Sequence, residues 1–321
     1  MSDNFKDSFD IEKAYLPDKD TKELVLNDID NFNLKLNKAA RYDEGTKHEK
    51  GKFKFFNKDF QNDDNNYLIK ANFGDLNFED ICKRQISNIE KMGIKNTSFI
   101  LSPDWRMVVG LGGVSVYETS ITLHYIYGFP YIPGQALKGV CRNYAINYFY
   151  DCNEDNALND DKFRKIFGCK EKNNIKCMEG SIMFFDAMPI TSPKIEPDII
   201  NTHYTEYYSS NKENIMPPAD YYNPIPIPFL TVKDTKFQFV LGLKMGKDIS
   251  LMDTAKEWMI GALTQSGVGA KTAQGYGYMQ EEKLGNTNKT EKSKNTVLGQ
   301  DDLKLATNTS LKALAKKFNH Y

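Results

Sequence analysis

Apolar residues recur at helical spacing in several parts of this chain and alternate or cluster at strand spacing in others. Leu24, Val25, Ile29, Phe32 and Leu36 predict an amphipathic helix over 24–36, interrupted by asparagines. Phe78, Ile81, Cys82, Ile86, Ile89 and Met92 predict a second. A cleaner stripe runs through Leu137, Val140, Cys141, Tyr144, Ala145, Tyr148 and Phe149, with Pro133-Gly134 marking its start. Leu251, Met252, Ala255, Trp258, Met259, Ala262 and Leu263 form a further stripe. Met107–Leu111, closed by Gly112-Gly113, reads as a short buried strand, and residues 116–126 alternate like a partly exposed one. Ser181–Met188, Pro228–Val232, Lys236–Leu241 and Tyr276–Gln280 are also strand-like, the middle two joined at Lys233-Asp234.

Over residues 105–281 these elements run strand, helix, strand, strand, helix, strand. That is the order of the split βαβ arrangement, which RNA-recognition modules also use. The expected class is α+β, with a ferredoxin-like (RRM-like, βαββαβ) core, a helical N-terminal region and long insertions. On this reading residues 1–104 are helical and irregular and pack on the core. Insertions occupy 151–179 and 190–226, and 282–321 is a polar linker with a C-terminal helix. Ser310 would cap that helix, with Leu311, Leu314, Ala315 and Phe318 opposite Lys312, Lys316 and Lys317.

Composition changes this picture little. The 321 residues are 40% hydrophobic and 26% charged, and the formal charge of −1 provides no general attraction for nucleic acid. An RNA surface would therefore be a local basic face. No segment has the apolar length of a membrane span, and the opening Met-Ser-Asp-Asn has no signal-peptide core, so a cytoplasmic protein is expected. The five cysteines lack a Cys-x-x-Cys pair and are expected as free thiols. Cys152, Cys169 and Cys177 raise a zinc site by proximity but fit no standard ligand spacing, so neither metal nor cofactor is expected. Residues 47–60 interleave Lys50, Lys52, Lys54 and Lys58 with Phe53, Phe55 and Phe56. Such a mix can track phosphates while stacking bases; the simpler reading is an exposed hairpin with its lysines outward. The Tyr/Pro-rich stretch from His203 to Pro228 reads as a long loop, whose tyrosines could stack on bases or pack on the body.

The stretch with most chemistry is Gly267-Val-Gly-Ala-Lys-Thr-Ala-Gln-Gly-Tyr-Gly277. Glycines at this density let backbone amides approach a phosphate chain, and Lys271 supplies a cation beside them. It is no Walker loop, because Ala270 and Gln265 stand where that motif needs glycine. It is no dinucleotide fingerprint either, since Thr272 replaces the third glycine and helix precedes strand. Upstream, Lys138 and Arg142 lie four residues apart near a helix N-terminus, where free amides, the positive dipole end and two cations would seat a phosphate.

Several segments together resemble the RAMP superfamily of CRISPR-associated RNA-binding proteins. They are Gly110–Gly112, Glu118–His124, Tyr127–Gly139, Gly180–Ala187, Phe229–Val232 and the glycine-rich loop. In this order they are most similar to the sixth-subunit family of type III-B (Cmr) effector complexes, over roughly residues 105–281. The resemblance implies a ferredoxin-like fold elaborated by insertions and a place at the end of a ribonucleoprotein, holding the 3′ part of the guide RNA. It implies partners as well: guide RNA, complementary target RNA, other Cmr-type RAMP subunits and the small helical subunit. By position, Lys271 and the amides of Gly267, Gly269 and Gly275 would contact RNA backbone, within a candidate RNA-binding set that also includes Thr272, Gln274 and Tyr276. Lys138 and Arg142 would flank them. Where such proteins often carry serine, this chain has Gln135 and Ala136, which puts hydroxyl contacts there in doubt.

Target cleavage in these complexes is attributed to an aspartate of another subunit, and no residue here clearly matches it. Glu118 and Asp186 are single carboxylates near strand ends, positions that usually serve turns or helix caps. A non-catalytic subunit is therefore expected. The alternative is a metal-independent guide-processing endoribonuclease using His124, or His203, with Lys271.

Overall fold

The computed structural model describes residues 29–40, 42–46, 49–55, 71–171, 176–202, 204, 207–208, 217 and 225–281. Outside them lie residues 24–28 of the expected first helix, residues 47, 48 and 56–60 of the Lys/Phe stretch, His203, most of the Tyr/Pro-rich loop, and the linker and C-terminal helix expected over 282–321. In chain order, α1 (Phe32–Asn37), the hairpin β1 (Tyr42–Thr46) and β2 (Glu49–Phe53), and α2 (Phe78–Lys91) precede β3 (Lys95–Pro103). Next come α3 (Gly134–Phe149), α4 (Glu154–Asn159), α5 (Asp161–Phe167), and the two-residue strands β4 (Gly168–Cys169) and β5 (Met178–Glu179). The chain continues through β6 (Ile182–Phe184), β7 (Met188–Pro189), β8 (Lys194–Thr202), β9 (Ile225–Lys233) and β10 (Phe237–Leu243). It closes with α6 (Ser250–Gln265), a 3₁₀ turn at Thr272–Gln274 and β11 (Met279–Glu281).

The main sheet has the order β11-β3-β10-β6, with β7 also pairing with β10, and every pairing is antiparallel. Helix α3 connects β3 to β6, and α6 connects β10 to β11. Counted by core strand, the order is fourth, first, third, second, which is the split βαβ arrangement expected. The central strand β10 is buried along its whole length. Phe237, Phe239 and Leu241 share one face, and Phe239 stacks on its cross-strand neighbour Phe99 at 5.3 Å. Lys256 of α6 lies over that Phe99 ring, so this face carries the two crossover helices. Gln238 points the other way and donates to the Cys82 carbonyl of α2, which covers part of the second face. Trp258 of α6 stacks on Phe167 at 6.0 Å and draws α5 into the same core.

Two strand expectations fail. The first core strand is Lys95–Pro103 rather than Met107–Leu111. β3 carries Lys95, Asn96, Thr97 and Ser98 in its first half and buries few side chains, so hydropathy does not single it out; hydrogen bonding on both edges does. Met107–Leu111 is apolar, and buried as far as Val109, but forms no ladder. Its backbone is divided among three segments: Met107 exchanges both bonds with Val232, the Val108 carbonyl accepts from Ala270, and the Val109 carbonyl accepts from Thr122. Residues 116–126 likewise form a looped return rather than a strand, with one isolated bridge between Leu123 and Pro130.

The segment 190–226 is not simply a loop. β8 and β9 pair from Lys194↔Lys233 to Thr202↔Ile225 as a separate two-stranded ribbon. Pro197, Pro226 and Pro228 fit within it because each strand of a ribbon has an open edge that needs no N–H donor. Pro228–Val232 and Lys236–Leu241 are both strands as expected, but the turn at Lys233-Asp234 passes the chain from the ribbon to the main sheet. The polar insertion at 151–179 folds as α4, α5 and the β4–β5 pair. Among the described residues, no helix is long and apolar enough to cross a membrane.

Candidate nucleic-acid interface

The glycine-rich loop leaves the end of α6 and returns along the edge of the sheet as β11. Its base is buried and tightly bonded. The Gly267 amide donates to the Ala262 carbonyl, Val268 to Gly277, Ala270 to Val108 and Gly277 to Arg106, at 2.8 to 3.0 Å. Two glycines are required by close approach. At Gly269, φ is +97° and a Cβ would stand 2.2 Å from the Val108 carbonyl oxygen; at Gly277, φ is +76° and a Cβ would stand 2.0 Å from that of Val268.

The crown of the loop is different. Gly269, Ala273, Gln274 and Gly275 are exposed, with Lys271 and Thr272 partly so. The 3₁₀ turn consumes the Gln274 and Gly275 amides on the carbonyls of Lys271 and Thr272, and Tyr276 donates to Lys271 at 3.3 Å. Among the described residues, the amides of Gly269, Lys271, Thr272 and Ala273 have no backbone acceptor. Lys271 is left-handed at φ +62°; its ammonium bonds to Gln274 Oε1 at 2.8 Å and lies 5.6 Å from the Phe229 ring centre. A held cation and unpaired amides on one turn can receive an anion with little reorganisation. Of the three glycine amides singled out from the sequence, only that of Gly269 is open; those of Gly267 and Gly275 are engaged within the loop.

Tyr276, another residue of that set, is 7% exposed and holds the loop instead of crowning it. Its ring packs against Phe229 at 5.9 Å and Trp105 at 5.0 Å, and its hydroxyl donates to Asp198 Oδ2 at 2.8 Å. Burial, then the Asp198 bond and charge, push the Tyr276 phenol up to about 12. Asp198 also receives Arg106 at 3.2 Å. Arg106 reaches Glu196 at 3.3 Å as well, and Lys233 reaches that same Glu196 oxygen at 2.7 Å. This half-buried cluster ties the β8–β9 ribbon to the base of the loop. Sequence reasoning did not find it. A usable signal was present, since Lys194, Glu196 and Asp198 recur at period two and so share one face of a strand.

Lys138 and Arg142 do not join Lys271. Their partners lie in the 151–179 insertion, whereas Lys271 has its contacts within the loop and on β9. Arg142 pairs with Glu154 at 2.6 Å and lies 5.3 Å over the Phe163 ring. The Glu179 carboxyl is held below the usual carboxylate range first by its hydrogen bond from Lys244 and then by that charge, with Lys138 and Lys247 adding to it. The expected phosphate seat at the start of α3 is also taken: Asp186 Oδ1 accepts the Gly134 amide at 2.7 Å, a carboxylate capping a helix whose N-cap, Pro133, offers none.

His124 Nδ1 accepts from the amides of Ile126 at 3.2 Å and Tyr127 at 3.3 Å, which closes the turn before Phe129. The ring is lodged among Tyr127, Phe129 and Tyr131, and burial lowers its pKa against an opposing pull from Asp186. Lys271 is not among its contacts. Cys152 Sγ faces the Asn147 carbonyl and Cys169 Sγ that of Lys176; among the described residues, no group of three His, Cys, Asp or Glu could hold a metal. Tyr207 and Tyr208, beyond the end of β8, are both exposed.

Residues 100–280 match the model of the RAMP superfamily. The chain is 39% identical over 224 residues to the CRISPR system Cmr subunit Cmr6 of Pyrococcus furiosus, a match covering 55% of this chain and 65% of that protein. It therefore spans just under two thirds of that relative's length. It is 26% identical over 231 residues to Cmr6 of Saccharolobus solfataricus, covering 68% of this chain and 69% of the other. In fold it is similar to a chain in the cryo-EM structure of the type III-B Cmr-beta complex bound to cognate target RNA. There the TM-score is 0.52 at 23% identity, over 67% of this chain and 69% of that one. With the family model covering more than half its length and the split βαβ sheet lying inside the matched span, this chain belongs to the RAMP superfamily.

Proposed function

We propose that the chain is an RNA-binding, non-cutting subunit of a cytoplasmic type III-B Cmr effector ribonucleoprotein in CRISPR antiviral defence. Its likeness to two proteins named Cmr6 supports the assembly. In this reading it caps the complex at the 3′ part of the guide RNA and supports binding of complementary target RNA. Its neighbours are other Cmr-type RAMP subunits and the small helical subunit. The observation that carries RNA binding is the loop crown, where one short turn holds both Lys271 and the amides of Gly269, Lys271, Thr272 and Ala273 that have no backbone acceptor among the described residues. The amide donors and the cation suit a phosphodiester, while the buried base of the loop keeps them in place. Lys138, Lys244 and Lys247 would form a second basic contact area.

The test is guide-RNA retention measured across a salt series. Lys271→Ala is expected to weaken retention and reduce the salt slope by about one, with an unchanged unfolding midpoint. An unchanged slope, or an unfolded variant whose folded fraction binds normally, overturns the assignment of the loop. The competing endoribonuclease reading is weakened by His124, whose Nδ1 is occupied by two backbone amides. Incubation with repeat RNA without metal decides it: specific cleavage lost in His124→Ala would replace the binding reading.

A further inference from the structure

Trp105 leaves 52% of its surface open, although it lies at the start of the segment that seats the glycine-rich loop. Exposing an indole wastes one of the largest apolar surfaces a chain has. The ring is nevertheless held: it packs 5.0 Å from the buried Tyr276, and the Arg106 guanidinium lies 5.5 Å from its centre. Tyr276 is in turn fixed by Asp198 and Phe229, and its amide donates to the Lys271 carbonyl. A single residue therefore links the open indole to the open amides and cation of the crown. We propose that Trp105 is a stacking platform for one unpaired base of a single-stranded RNA whose backbone lies on the Gly269–Ala273 crown. This rests on the RNA-binding reading above and adds to it a base subsite. A flat, immobilised ring costs little ordering entropy when a base lands on it, and stacking tolerates any base because each has a π-face. The platform supplies affinity that salt does not screen, in contrast to Lys271.

The chain's two tryptophans make the test direct, because Trp258 is 6% exposed and stacked on Phe167. In Trp258→Phe, Trp105 is the sole indole, and its emission should be quenched by a short single-stranded oligoadenylate. In the natural background, Trp105→Ala should bind that oligonucleotide about 5- to 150-fold more weakly with an unchanged salt slope, while Trp105→Phe should retain most of the affinity. If the isolated chain holds no oligonucleotide, the same variants are compared by guide-RNA retention in the assembled complex. Equal binding by Trp105→Ala, with Lys271→Ala still impaired, overturns the platform and leaves the RNA reading intact. Failure of every form to contact RNA, even in the complex, overturns both. Shielding of Trp105 by another subunit before RNA is added assigns the indole to a protein contact and also overturns the platform.

Discussion

The Tyr276 hydroxyl donates to the Asp198 carboxylate at 2.8 Å across 78 residues of sequence, joining the base of the glycine-rich loop to the β8–β9 ribbon. Arg106 completes the junction from the strand side, bonding Asp198, Glu196 and the Pro197 carbonyl. Loop, ribbon and the start of the looped segment after β3 are thus held by a few polar bonds over a small apolar cluster of Val108, Phe229 and Tyr276.

Tyr276→Phe removes one of these bonds without altering shape. A hydrogen bond to a charged group contributes about 1.5–3 kcal/mol, and the partial exposure of Asp198 reduces that to about 1 kcal/mol. Urea unfolding should show a lower midpoint with an unchanged slope. A midpoint equal to that of the parent would mean the bond contributes nothing to stability.

The same pair sets an alkaline limit. Folding favours the neutral phenol, raising it from 10.0 to about 12. The associated stability is complete below pH 10 and is lost as pH rises through about 12. Parent and Tyr276→Phe should therefore converge in thermal midpoint over that interval, and parallel curves would contradict the shift.

His124 predicts an acidic limit of opposite sign. Burial lowers its pKa below the ordinary 6.5, so its contribution is present above that value and declines as pH falls beneath it. Protonating Nδ1 would place an N–H against the amides of Ile126 and Tyr127. His124→Asn should remove this part of the acid dependence, read as the difference between the two stability profiles from pH 7 to pH 4.

Gly269 and Gly275 both have positive φ but should respond differently to alanine. At Gly275 nothing lies within 4 Å of the added Cβ, so only the left-handed backbone costs, about 1–2 kcal/mol. At Gly269 the Val108 carbonyl is in the way, and the loop must either lift or destabilise by more than about 2 kcal/mol. Denaturation midpoints give the ranking; equal costs would mean that the loop is not seated on Val108.

Arg142→Ala separates structure from RNA binding. Its pair with the half-exposed Glu154 and its position over Phe163 together contribute about 1 kcal/mol. Stability should fall by that amount while the salt slope of RNA retention stays constant. A slope reduced as much as in Lys271→Ala would instead place Arg142 on the RNA.

Local periodicity was legible. α2, α3 and α6 follow their apolar stripes to within three residues at each end, because a helix facing a core repeats its apolar positions locally. The glycine-rich loop was legible as a candidate because dense glycines with a lysine are uncommon at random. β3 was not legible: its strand character comes from neighbours on both edges, and its polar side chains hide it. Met107–Leu111 misled for the complementary reason, being apolar for burial while its backbone serves three different segments.

By itself, the sequence determined the class, the helices α2, α3 and α6, the strands β6, β9, β10 and β11, and the loop that carries dense glycines and a lysine. All of these depend on residues near one another along the chain. Only the tertiary structure decided which amides remain open, that Asp186 fills the helix-start seat, and that Arg142 serves the insertion. It alone joined Tyr276 to Asp198 and left Trp105 exposed beside them. Each of these depends on partners brought together from distant segments, and hydrogen-bond satisfaction and burial are properties of the packed chain that no local pattern encodes.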